Sequence, residues 1–85
     1  MVSKIEQYAI NQVKARRLAM GLSQAALAAE ANLSYGFIGD VEAGKRKCKY
    51  NLNHLNMFAI VLKCSVHDFL PTKPIIDNQA KVQRK

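Results

Sequence analysis

Acidic side chains are scarce in this sequence: six Asp and Glu stand against 13 Lys and Arg, for a net charge of +7. That imbalance favours an anionic partner, whether nucleic acid, a membrane surface or an acidic protein. The plainer alternative is a soluble basic domain without one. Long apolar runs are missing; none approaches the ~18 residues of a membrane span. No apolar signal segment opens the chain. Cysteines number only two, too few for a disulfide scaffold, so a reducing cytoplasm is expected. No glycine-rich phosphate loop follows a strand, and no nucleophile–base constellation is visible, so no enzymatic role is expected. Cys48, His54, Cys64 and His67 include no C-x-x-C and form one close pair, Cys64 and His67. Cys64 falls at an apolar position, where free cysteine behaves as a small hydrophobe, and both histidines read as polar helix-surface residues. No metal and no cofactor are expected. Internal repeats and low-complexity segments are absent too.

What remains is helical. Eighty-five residues, 49% of them apolar, make one small globular domain, whose core is modest unless a partner subunit adds to it. Ser3-Lys4-Ile5-Glu6 is a capping box that starts a first helix near Lys4. Apolar residues recur at Ile10, Val13 and Met20, and Gly21 ends the helix. Ser23 caps a second helix over Gln24 to Ala31, a run of strong helix formers. Asn32 supplies the turn. Ser34 is read as the N-cap of a third helix spanning 34–43, closed by Gly44. Asn51 caps a fourth, about Leu52 to Lys63, with an apolar stripe of Leu52, Leu55, Phe58, Ala59 and Leu62. Ser65-Val66-His67-Asp68 is a further capping box, opening a short fifth helix that Pro71 stops. The tail from Thr72 to Lys85 has no useful periodicity and reads as flexible and basic, unless Ile75 and Ile76 dock on a partner subunit.

The third helix has one unusual face. At about 100° per residue, Ser34, Phe37, Ile38 and Val41 share one side, and Tyr35, Gly36, Gly39, Asp40 and Ala43 the other. The second side carries two glycines and neither lysine nor glutamate. An interior helical glycine costs about 1 kcal/mol relative to alanine, so a face kept this slim suggests close approach to something. Helix–helix packing would also explain it. A basic run, Lys45-Arg46-Lys47-Cys48-Lys49, follows at once.

Taken together, Arg17, Gly21-Leu22-Ser23-Gln24, Leu27-Ala28, Leu33-Ser34, Ile38, Glu42 and Gly44-Lys45-Arg46 resemble the helix-turn-helix of the phage-repressor/Cro-like (Xre) family of DNA-binding proteins. Leu52, Leu55, Phe58-Ala59, Leu62, Ser65 and Phe69-Leu70 match that family's last two helices. The resemblance covers roughly residues 8 to 71. It implies an all-α, compact five-helix lambda-repressor-like domain over residues 1–71, with 72–85 as tail. Two positions depart from the family's usual glycine, Asn32 and Lys63.

The resemblance also implies a function. The third helix would enter the major groove and the second would cross the backbone. Ser34, Tyr35, Gly36, Gly39 and Asp40 would lie near base edges. Tyr35 can hydrogen-bond or cover a thymine methyl, and Asp40 can accept from a cytosine amino group; alternatively Asp40 pairs with a nearby lysine. Gln24 and the start of its helix would hold a phosphate, and Lys45, Arg46, Lys47 and Lys49 would add charge, unless they are merely a solvated loop. Family members pair an arginine with a glutamate where this chain has Arg17 and Glu42, which implies a partly buried ion pair; two independent surface charges are the alternative. The expected protein is a cytoplasmic, bacterial or phage transcriptional regulator, a repressor, binding double-stranded DNA as a homodimer on a near-palindrome. An antitoxin that also binds a toxin, or a protein-interaction module of the same fold, are the competing expectations. At this length there is no room for a separate ligand-sensing domain, so control by concentration or by a partner is expected.

Overall fold

A computed structural model describes residues 2–77, with the exception of the Arg46 side chain. Four α-helices follow one another: α1 (Lys4–Ala19), α2 (Gln24–Glu30), α3 (Phe37–Glu42) and α4 (Leu52–Leu62). Two 3-10 turns, Lys45–Lys47 and Val66–Phe69, complete the order. The fold is all-α. The expected fifth helix is the second of these turns: its Ser65 hydroxyl and Asp68 carboxylate form a capping box, but the segment ends after one turn, ahead of Pro71.

Capping chemistry places the starts. Ser3 accepts from the Glu6 amide and Glu6 accepts from the Ser3 amide, the reciprocal box of α1. Ser23 accepts from the Ala26 amide at 3.0 Å at the head of α2. Asn51 and His54 form the box of α4.

The ends of α1, α2 and α4 share one device. Each is closed by a residue in the left-handed region: Gly21 (φ +72°), Asn32 (φ +60°) and Lys63 (φ +57°). In each, the following amide reaches back five residues, Leu22 to Arg17, Leu33 to Ala28 and Cys64 to Ala59. This is the Schellman closure, which satisfies carbonyls the helix leaves open. Asparagine tolerates this conformation at small cost; exposed Lys63 is held there by the closing hydrogen bonds.

The third helix departs from expectation. It does not begin at Ser34, whose hydroxyl makes no cap; the segment Tyr35–Gly36 is a turn, and Gly36 stands at the N-cap with φ +92°. A left-handed residue breaks the helical run, so α3 spans six residues rather than 34–43. Gly36 is therefore a turn glycine, and Gly39 alone of the pair lies inside the helix.

The core gathers Ile10 and Val13 of α1, Leu27 and Ala28 of α2, Ile38 and Val41 of α3, Leu55, Phe58 and Leu62 of α4, and Phe69 of the last turn. Small Ala28 and Ala31 let α2 and α3 lie close. Two members of the expected apolar stripes are not covered: Met20, the last cap of α1, is exposed, and Leu52 is 73% exposed because the first turn of α4 lies beyond its buried stripe. Tyr50, in the approach to α4, is buried in their stead. After Pro71 the chain returns to the start of α1, where Asp77 Oδ1 accepts from the Lys4 amide at 2.9 Å. Ile75 is half-buried and Ile76 exposed. Of the expected tail, residues 78–85 lie outside the described part.

Candidate nucleic-acid interface

The centre of the site is a buried ion pair. Arg17 Nε and Nη2 donate to Glu42 Oε2 and Oε1 at 3.0 and 2.9 Å, a two-pronged arrangement. The two side chains are 7% and 5% exposed. Arg17 Nη1 donates to the Leu22 carbonyl at 2.8 Å, which ties the α1–α2 turn to the same guanidinium. The pair fixes α3 against α1. Desolvated charges of this kind are tolerated because each is matched and hydrogen-bonded.

The pair extends to the surface through Gln24. Its Nε2 donates to Glu42 Oε1 at 2.8 Å. Its carbonyl oxygen lies 3.0 Å from where a Cβ on Gly39 would stand. Gly39 is thus a close-approach glycine, with Gln24 as the neighbour. Beside it, a shallow depression of about 240 Å³ is lined by Ser23, Gln24, Ala25, Tyr35 and Gly36. The structure so brings together Gln24, Tyr35, Gly36 and Gly39, contributed by the head of α2, the turn and α3. Tyr35 is 89% exposed, and no other residue approaches within 4 Å of a Cβ built on Gly36. Ser34 is exposed at the edge, and its carbonyl accepts from the Phe37 amide.

Asp40 lies in the first turn of α3, half-exposed, where its charge complements the helix dipole. No lysine or arginine among the described side chains lies within ion-pair distance of it.

The basic run is not uniform. Gly44 (φ +74°) turns the chain into the Lys45–Lys47 turn, and Lys47 is itself left-handed (φ +59°). Lys45 and Lys47 are exposed; Arg46 belongs to the same turn. Lys49 differs: its Nζ lies 3.0 Å from Glu6 Oε2, so its charge is partly matched within the protein. The Ser3 amide, first, and Lys49, second, hold the Glu6 carboxyl below its ordinary pKa.

Two further residues support the site and were read differently, or passed over, in the sequence. His54 is half-buried, with its ring 5.0 Å from that of Phe37, and its Nδ1 accepts from the Asn51 amide. Burial holds its pKa below the ordinary imidazole value. Tyr50 packs edge-on to Phe58 at 4.8 Å and to Phe37 at 6.0 Å. An aromatic immediately before an asparagine-capped box was the available signal for it.

Residues 13–48 match the family described as Helix-turn-helix. That stretch is a helix-turn-helix, and in it the chain is similar to the phage-repressor/Cro-like family. Helices α2 and α3 are its two helices, and residues 31–36 its turn. Among solved structures, the chain is similar to the restriction-modification controller protein C.AhdI from Aeromonas hydrophila, at 27% identity and a TM-score of 0.64, over 74% of this chain and 92% of that one. It also shares its fold with a hypothetical transcription factor, NHTF, from Neisseria, at 18% identity and a TM-score of 0.69, over 93% of this chain and 83% of that one. No curated protein matches by sequence. No described helix of this helix-turn-helix chain is long and apolar enough to cross a membrane.

Proposed function

We propose that this helix-turn-helix protein is a sequence-specific transcriptional regulator, a repressor, that binds double-stranded DNA in the cytoplasm as a homodimer on a near-palindrome. The observation that carries the reading is the exposed cluster of Gln24, Tyr35, Gly36 and Gly39, anchored through Glu42 to a buried arginine. A rigid, slim ridge with nothing packed over it suits a major groove. Gln24, next to the α2 N-terminus, holds a phosphate; Tyr35 and Asp40 meet base edges, with Ser34 beside them. Lys45, Arg46 and Lys47 grip the strands. Lys49 contributes less, since it is shared with Glu6.

The dimer reading rests on a second surface. An open cleft between the end of α1 and α4 is lined by Met20, Met57, Ile60 and Val61, together with Glu30 and Lys63. Ile60 is 64% exposed. One acid and one base in the lining of a single cleft are complementary to themselves under a two-fold axis, which suits a second copy of this chain. Seating of a toxin in the same cleft is the antitoxin alternative.

The test is selection of bound sequences from a random duplex pool by mobility shift, with sedimentation of the free protein. Enrichment of a two-fold symmetric site, and a dimer that Ile60→Glu dissociates, support the proposal. No enrichment at low salt would leave a protein-binding module of the same fold.

A further inference from the structure

Behind the basic turn lies a cleft of about 350 Å³ that, Lys47 apart, the DNA reading does not use. Val2, Ile10, Val41 and Cys48 form its apolar part, and Lys4 and Lys47 stand among the residues that line it. Its size is at the lower end for small-molecule sites. The nearby carboxylates are already engaged: Glu6 with the Ser3 amide and Lys49, Asp77 with the Lys4 amide. Among the described residues, neither Lys4 nor Lys47 has an acidic partner within ion-pair distance. An apolar lining together with two lysines that have no acidic partner among the described residues is complementary to one kind of molecule, a small carboxylate with a compact hydrocarbon body.

We propose that this cleft is an effector site for such an amphipathic carboxylate, and that its occupation draws Lys47 away from DNA. The second half rests on the reading of Lys47 as a phosphate contact. The site lies within the domain itself, so regulation by a metabolite needs no separate sensing module. The carboxylate pairs with Lys4 and Lys47 while its hydrocarbon covers Val2, Ile10 and Val41. Lys47 then neutralises one phosphate fewer, and the protein binds DNA more weakly and with a shallower salt dependence.

The test uses octanoate as probe, with acetate for the head alone and octanol for the body alone. In the DNA-free protein, octanoate should shift the amide resonances of Val2, Gly44 and Cys48 saturably, and acetate should not. Saturating octanoate should slow the reaction of Cys48 with a thiol reagent and leave Cys64, which does not line the cleft, as the internal control. Lys4→Gln should weaken octanoate binding by about two- to fivefold, the worth of one exposed charge pair, and leave DNA binding unchanged. On DNA, octanoate should reduce the slope of log K against log salt by about one unit in the native protein, and should leave Lys47→Asn unaffected. Absence of saturable shifts and of Cys48 protection overturns the site, as does equal binding of octanol. Saturable binding with an unchanged salt slope overturns the coupling. Failure to bind DNA at all would instead count against the regulator reading, and the amide and thiol measurements would still decide the site.

Discussion

The Gln24 amide donates to Glu42 Oε1 at 2.8 Å, on the same oxygen that Arg17 Nη2 reaches at 2.9 Å. A surface side chain of α2 thus shares an acceptor with a buried guanidinium of α1. The ion pair therefore has two separable consequences, one for stability and one for where Gln24 points.

Glu42→Ala should lower unfolding free energy by about 3–5 kcal/mol, because it strands the Arg17 charge in the interior. Replacing both partners, Arg17→Met with Glu42→Leu, should recover most of that loss, since the stranded charge is gone. DNA affinity should remain reduced in the double variant, because Gln24 has lost its anchor. Urea unfolding followed by a binding titration on the refolded protein checks both. Full recovery of affinity would remove Gln24's orientation from the account of binding.

The two glycines of the exposed face should answer differently to alanine. Gly36 sits at φ +92° with open space around it, so Gly36→Ala should cost roughly 1–2 kcal/mol from backbone conformation alone. Gly39 is helical, and a methyl there meets only the end of the flexible Gln24 side chain, at 3.0 Å. Gly39→Ala should keep or raise stability, by up to about 1 kcal/mol, and should weaken DNA binding by displacing Gln24 and filling the ridge. Thermal denaturation and mobility shift on both variants measure this. Unimpaired binding by Gly39→Ala would argue that the glycine serves packing alone.

The starts of the helices were legible because Ser3, Ser23, Asn51 and Ser65 each carry a side chain that caps, a signal confined to four residues of sequence. The start of α3 was not. Ser34 has the right side chain for a cap, yet Gly36 two residues on adopts a left-handed conformation, which serine-first reasoning overrides only with the backbone in view. Most core positions followed from period 3.6, but Leu52 and Met20 lie at helix ends, where that period no longer says which side is covered. The residues of the candidate site could be named from the face of one helix. Gln24 was named through the family resemblance, but its bond to Glu42 and the pairing of Lys49 with Glu6 depend on contacts 18 and 43 residues apart in the chain, which local pattern does not encode.

Stability should fall as pH is lowered through about 6.5, and His54 should account for part of the fall. Burial holds its folded-state pKa below the ordinary imidazole value of 6.5, so the unfolded chain takes up the proton first. The contribution is fully present above that value and is lost progressively down to the folded pKa. Protonation would also end the acceptance by Nδ1 from the Asn51 amide. His54→Gln, which keeps a capping-box side chain, should flatten the dependence in that window. Glu6 acts lower: its pKa is depressed from 4.5, so its contribution is present above 4.5 and is lost as pH falls further. Chemical denaturation at a series of pH values separates the two, and an unchanged profile in His54→Gln would remove the histidine from the account.

The Tyr50 hydroxyl is buried, and no protein group among the described residues accepts or donates to it. Its ring, by contrast, is well engaged, edge-on to Phe58 and beside Phe37 and His54. Burial first, and the Glu42 charge second, push its pKa up, so the phenol stays neutral at any working pH. Desolvating an unpaired hydroxyl costs about 1–3 kcal/mol, whereas the ring contributes through buried area. Tyr50→Phe should therefore be neutral or stabilising by about 1 kcal/mol, and Tyr50→Ala destabilising by about 3–5 kcal/mol. DNA affinity of Tyr50→Phe should equal that of the native protein, because the ring that backs Phe37, the first residue of α3, is kept. A loss above about 1 kcal/mol in Tyr50→Phe would show that the hydroxyl has a favourable partner after all, and the Glu42 carboxylate, whose charge it already feels, would be the first to test by combining the two substitutions.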